Sequence, residues 1–227
     1  LERQARGSAE TGPLDEDALR RVLRRLRMEV FCAVMERDLA GLADVDEVTG
    51  TMTDLAEAAV QHALATLEAE LEALYGEPRG PSGERLVLGV VGMGKLGGRE
   101  LNVSSDIDLI FVYEDDGETA GAARPPISTQ EFFTRLGRRL IGALAEPTAD
   151  GYVFRVDMRL RPNGDAGPLA CSLGMLEEYF YVQGREWERY AWIKGRLVSE
   201  GASAAAKRLA AQLDALVKPF VYRRYLD

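Results

Sequence analysis

The segment Gly92–Phe111, GMGKLGGRELNVSSDIDLIF, constrains the fold more than any other stretch of this chain. A glycine-rich turn follows the apolar run Leu86–Val91, and two aspartates, Asp106 and Asp108, open a second run, Ile107–Tyr113. Apolar runs of this length bounded by turn residues predict buried strands. Residues two apart on a strand share a face, roughly 6.6 Å apart. Asp106 and Asp108 therefore point together, while Ile107 and Leu109 point into the core. Asp108 is followed at once by Leu-Ile-Phe-Val, so it stands where burial begins. A polar strand edge would account for paired acids; an acid at the onset of burial is better explained by a cation.

The turn itself has three readings. Gly92-x-Gly94-x-x-Gly97 matches a dinucleotide-binding fingerprint, with Glu114, Asp115 and Asp116 about 20 residues on for a ribose. That reading requires a full helix in between, and Gly98–Ser105 is too short and too polar to supply one. Gly89-x-x-x-x-Gly94-Lys95 approaches a P-loop, but Leu96 stands where a hydroxyl must meet magnesium. In the third reading the turn holds a polyphosphate on backbone N–H groups while the two strand aspartates bind a divalent cation. The alternating segment Tyr152–Leu160 extends this reading. Phe154, Val156, Met158 and Leu160 face one way; Arg155, Asp157, Arg159 and Arg161 face the other. Asp157 is either one member of a salt-bridged strand face or a third carboxylate of the site.

The rest of the chain is helical on both sides of this sheet. From Asp15, Leu19, Val22, Leu23, Leu26 and Val30 follow helical spacing, with Arg20, Arg21, Arg24, Arg25 and Arg27 on the other faces. Thr51-Met-Thr-Asp54 resembles a capping box opening a helix that ends at Gly76, with Leu55, Ala59, His62, Ala63, Leu67, Leu71 and Leu74 as its buried stripe. His62, on or beside that stripe, reads as a packed structural histidine. Ser128 opens a helix stopped by Pro147, and further helices are predicted over 173–183, 185–196 and 202–218. The organisation expected is a leader (1–13), an N-terminal helical segment (14–80), a sheet core (84–171) and a C-terminal helical segment (172–227). The ends read as those of a fragment of a longer protein.

Composition narrows the function. A net charge of −9 over 227 residues argues against a general nucleic-acid partner. No apolar stretch reaches the ~18 residues that span a bilayer, so no membrane partner is expected. Cys32 and Cys171 lie far apart, which fits a reducing cytoplasm. Neither cysteine has metal-ligand spacing, and His62 is the only histidine, which argues against a zinc site or a histidine triad.

The segments GMGKLGGRELNVSSDIDLIF, VDMRLRPNGDAGPL (156–169) and GREWERYAWIKGRLV (184–198) together resemble the glutamine synthetase adenylyltransferase family over residues 15 to 227. The resemblance implies an α+β fold: a nucleotidyltransferase (DNA polymerase beta-like) mixed sheet flanked by helices. It implies a metal set of Asp106, Asp108 and Asp157 for Mg2+ or Mn2+. The nucleotide (ADP or ATP) and inorganic phosphate would be held by Gly92, Gly94, Lys95 and Ser105. Arg159, Arg161 and Lys194 are either further phosphate contacts or ordinary salt-bridge partners, and Trp187, Glu188 and Tyr190 read as packing and helix-end residues. The wording at Met158 and Gln183–Ala191 is most like the adenylyl-removing half, with Asn163 as a departure. That half phosphorolyses AMP from adenylylated glutamine synthetase; the alternative is the adenylylating half, which transfers AMP from ATP. Glutamine synthetase and, through regions of the full-length chain, a PII signal protein are the partners implied. A non-catalytic scaffold would have no use for the turn and the aspartates together.

Overall fold

The computed structural model describes residues 15–199, 201 and 203–222; the leader at 1–13 and the closing residues 223–227 lie outside that range. Two long helices come first: α1 (Glu16–Leu39), capped by Asp15, and α2 (Val45–Tyr75), capped by Asp44. A two-stranded ribbon pairs β1 (Glu77–Arg79) with β4 (Glu118–Ala120). The main sheet contains β2 (Gly89–Gly92), β3 (Ile107–Tyr113), β5 (Val156–Asp157), β6 (Ala170–Ser172) and β7 (Arg196–Leu197). Its order is β5-β3-β2-β7, with β6 also on β3. The remaining helices are α3 (Gly94–Gly97), α4 (Thr129–Ala145), α5 (Leu173–Val182), α6 (Glu186–Ile193) and α7 (Ala204–Val221).

Alternation along β3 assigns the two faces of the sheet. Ile107, Leu109, Phe111 and Tyr113 join the core made with α1, α2 and α4. Ile110 and Val112 join a second core with Cys171, Leu176, Trp192 and Leu209, contributed by β6 and by α5, α6 and α7. Helices thus cover both faces of a mixed sheet, the α+β architecture expected from the sequence. Asp108 shares the face of Ile110 and Val112, but at the end of β3 where the second set of helices no longer covers it. No helix among the described residues is long and apolar enough to cross a membrane.

Several local expectations change, each for a visible reason. Helix α2 begins at Val45 rather than near Thr51, because Asp44 accepts from the Glu47 N–H at 2.8 Å and outcompetes the later threonines. Thr49 and Thr53 instead sit inside the helix, donating back to the carbonyls of Val45 and Thr49. His62 lies beside the buried stripe and is exposed, as is Leu74 near the end of α2; Val22 is likewise exposed on α1. The predicted strand over 152–160 shortens to Val156–Asp157. Asp157 Oδ1 accepts from the Arg159 N–H and the Arg161 N–H reaches back to the Met158 carbonyl, so the chain turns away. On α6, Glu188 ends its helix as expected by accepting from the Arg185 N–H, whereas Trp187 and Tyr190 are exposed.

Arg24 departs furthest from expectation, being 2% exposed rather than on an outer face of α1. Its guanidinium donates to the carbonyls of Gly151 (2.8 Å), Arg20 (3.0 Å), Ala143 (3.1 Å) and Glu146. It therefore caps the C-terminal turn of α4, where unpaired carbonyls and the negative end of the dipole gather. An Arg24→Met variant keeps the aliphatic volume and strands those carbonyls. Urea unfolding should show a loss of about 3 kcal/mol; a change below about 0.5 kcal/mol would mean water replaces the cap.

Glu68 on α2 faces Glu72, Glu77 and Arg85, and its Oε1 accepts no hydrogen bond. Burial first, then the charge of Glu72, pushes its carboxyl from 4.5 up to about 7. The folded chain binds more protons than the unfolded one between these values, so this group subtracts stability as pH rises through that window. Glu68→Gln should raise stability by about 2 kcal/mol at pH 8 and by almost nothing near pH 4.5, read by urea unfolding at both.

Candidate active site

The glycine turn is held from beneath by α2 and from the side by β7. Arg196 donates to Glu57 and to the carbonyls of Leu96 and Gly97, both at 3.2 Å. Arg99, at φ +58°, binds Asp54 at 2.6 Å and Glu57 at 3.1 Å. A Cβ at Gly97 would collide with the carbonyls of Lys194 and Gly92, so only glycine allows this packing. Gly94 has a left-handed φ of +52°, and a Cβ there would stand 2.8 Å from Asp108 Oδ2. The turn thus rides directly over the aspartate, and no side chain caps the short helix that follows it.

The second half of the site is built by strand pairing. β3 and β5 run parallel with Ile107 opposite Val156 and Asp108 opposite Asp157. Directly paired residues on neighbouring strands project from the same face. Asp106, two residues before Asp108, adds a third carboxylate to that side. One open cleft is bordered by all three acids together with Gly94, Lys95, Asn102, Ser104, Ser105, Arg155 and Arg159.

The three acids have different surroundings. Burial, then the negative charges of Asp157 and Asp106, raises the Asp108 carboxyl above its ordinary range. Among the described residues its oxygens accept no hydrogen bond. Asp157 is lowered, chiefly because Arg159 grips it: Nε lies 3.0 and 2.8 Å from its two oxygens. Asp106 is bound by the Arg155 Nε. Among the described residues no three acidic, histidine or cysteine groups are drawn tightly enough together to enclose an ion. Two of the three carboxylates are turned toward arginines instead.

The sequence-derived residues divide accordingly. Asp106, Asp108, Asp157, Gly94, Lys95, Ser105 and Arg159 border the cleft. Lys95 Nζ donates to Ser105 Oγ at 3.3 Å, and Ser105 donates to Asn102 Oδ1 at 2.7 Å. Gly92 lies within β2, with Leu109 as its strand partner. Lys194 is turned to Glu100 at 2.6 Å, and Arg161 to the Met158 carbonyl at 2.8 Å and to Asp165 at 3.3 Å; neither borders the cleft. Arg155 and Ser104 border it without having been singled out, since their type and spacing fit an ordinary polar strand face and turn.

A half-buried carboxylate without a hydrogen bond, flanked by two more, is a donor set of hard oxygens suited to Mg2+ or Mn2+. Asp108 is the anchor such an ion would need.

A family model described as "Glutamate-ammonia ligase adenylyltransferase" matches residues 7–211. The chain belongs to that family. A Burkholderia mallei protein named "Bifunctional glutamine synthetase adenylyltransferase/adenylyl-removing enzyme" is 85% identical over 215 residues, covering 95% of this chain and 23% of that protein. Proteins of the same name from Ralstonia nicotianae and Aromatoleum aromaticum are 68% and 58% identical, covering 93% and 94% of this chain. The chain spans 22% of the length of each of these two.

Asp108 carries a repulsive, poorly solvated charge, so the site exacts a stability cost. Asp108→Asn should stabilise the chain by about 1 kcal/mol in urea unfolding at pH 8 with a chelator present. A loss of similar size would show that the carboxylate holds the turn rather than straining it.

Proposed function

We propose that this chain is the adenylyl-removing nucleotidyltransferase domain of an enzyme acting on glutamine synthetase. Inorganic phosphate attacks the phosphorus of the AMP carried by a glutamine synthetase tyrosine. A new P–O bond forms as the bond to the tyrosine oxygen breaks, giving ADP and a tyrosine that takes up a proton. The observation that carries this reading is Asp108, half-buried without a hydrogen-bond donor, between Asp106 and Asp157 and under Gly94. Asp106, Asp108 and Asp157 would hold Mg2+ or Mn2+, which when bound neutralises charge on the phosphoryl oxygens.

The chain's own residues supply positioning. Lys95 and Ser105 meet at the cleft wall and can receive phosphate oxygens, with Arg159 at the rim. Phosphoryl transfer of this kind depends on alignment and electrostatics more than on proton relays. The lone histidine, exposed on α2, has no part in it. The wording of the Met158 and Gln183–Ala191 segments supports removal over attachment. A PII signal protein would act through other regions of the longer protein, in the cytoplasm.

The purified chain, given adenylylated glutamine synthetase, phosphate and Mg2+, should release ADP. Asp106→Asn combined with Asp108→Asn should cut that release on the order of a thousandfold; release at the original rate would overturn the site. AMP incorporation from ATP into unmodified glutamine synthetase, without ADP release from the modified form, would assign the opposite direction.

A further inference from the structure

The reaction proposed above requires no guanidinium at Asp106, yet Arg155 is built to stand there. Its Nε donates to Asp106 Oδ1, one terminal nitrogen to the Ser104 carbonyl at 2.9 Å, and the other to the Tyr152 hydroxyl at 3.2 Å. All three nitrogens of the fork are therefore engaged. Phe154, 2% exposed, fixes the backbone beside it, and the Arg155 carbonyl accepts from the Ile107 N–H at 2.9 Å. Arg155 thus ties the lead-in of β5 to the loop before β3. Arg159 differs: it grips Asp157 two residues away on its own segment and is otherwise 79% exposed.

We propose that Arg155 is a latch on Asp106 that competes with a divalent cation for this carboxylate, and that the guanidinium, once released, holds a phosphate of the substrate. This inference rests on the reading of the cleft as a metal-dependent phosphoryl site. Arg155 Nε and a hard cation compete for the lone pairs of Asp106 Oδ1, while no hydrogen bond among the described residues reaches Oδ2. Once freed at the rim, the planar fork matches phosphate oxygens, and Lys95 and Arg159 border the same cleft. Cation binding should therefore favour anion binding and the reverse, by the same factor. Both partners are about half exposed, at 55% and 48%. An exposed pair of this kind biases an equilibrium by roughly two- to fivefold, so the latch tunes affinity without closing the site.

The test is calorimetric titration of the purified chain with Mn2+ alone, then with inorganic phosphate present. Arg155→Ala should bind Mn2+ alone roughly two- to fivefold more tightly than the original chain, and gain less from phosphate. Arg155→Lys keeps the charge but cannot span three acceptors, and should fall between them. In an Asp106→Asn background, Arg155→Ala should leave Mn2+ affinity unchanged; a persistent gain would mean a general charge effect and overturn the latch. Equal or weaker Mn2+ binding by both Arg155 variants overturns the latch while leaving the metal site standing. An undiminished response to phosphate overturns the anion-holding role. Absence of Mn2+ binding in every form removes the metal site and the latch with it.

Discussion

The site depends on a two-residue parallel pairing. Where β5 lies against the start of β3, Asp108 and Asp157 are placed side by side, with Asp106 one pleat away. Backbone hydrogen bonding fixes their positions, so the acids cannot drift apart to relieve repulsion. The remaining recourses are neutralising partners or a raised proton affinity, and the chain shows both. Arg159 and Arg155 take the two outer carboxylates, and the one in the middle is pushed upward. Strain of this kind follows when the positions of like charges are set by the fold.

The glycine turn is positioned by elements remote in sequence. Arg196, just after α6, and Arg99, just after the turn, both reach Glu57 on α2. Their meeting point fixes the end of α3, and Gly97 lets the Lys194 backbone close against it. The turn is thereby held between an N-terminal helix and a C-terminal strand. Neither terminal segment is a mere flank to the sheet.

Much of this was legible in the sequence, for reasons that differ by element. β3 was plain because a strand buried on both faces is a continuous apolar run. Helix α4 was plain because Ser128, a one-sided apolar stripe and Pro147 mark its start, face and stop. That Asp157 joins Asp108 stood only as one of two readings of the alternating segment until the family resemblance implied it, since register between distant strands leaves little local trace. What the sequence concealed was mostly the destination of charged side chains. Lys194, Arg159 and Arg161 have equal claims on phosphate by type, yet only Arg159 reaches the cleft. Arg24 was placed on an outer face of α1 because its burial is justified by carbonyls at the far end of α4, more than a hundred residues away. His62 shows the converse error, one step around the helix from a stripe that holds from Leu55 to Leu71 and fails at Leu74.

The shared core of α1, α2, β2, β3 and α4 has a consequence for how this molecule can be divided. The Gly- and Pro-rich stretch around residues 76–83 looks like a natural seam between helices and sheet. Mechanically it is not one. A polypeptide begun after that stretch would lose the acidic anchor of Arg196 and Arg99, the guanidinium seated under α4, and the apolar lining that α1 and α2 give the central strand. Shortening from the front would thus dismantle the glycine turn before it removed a single residue of it.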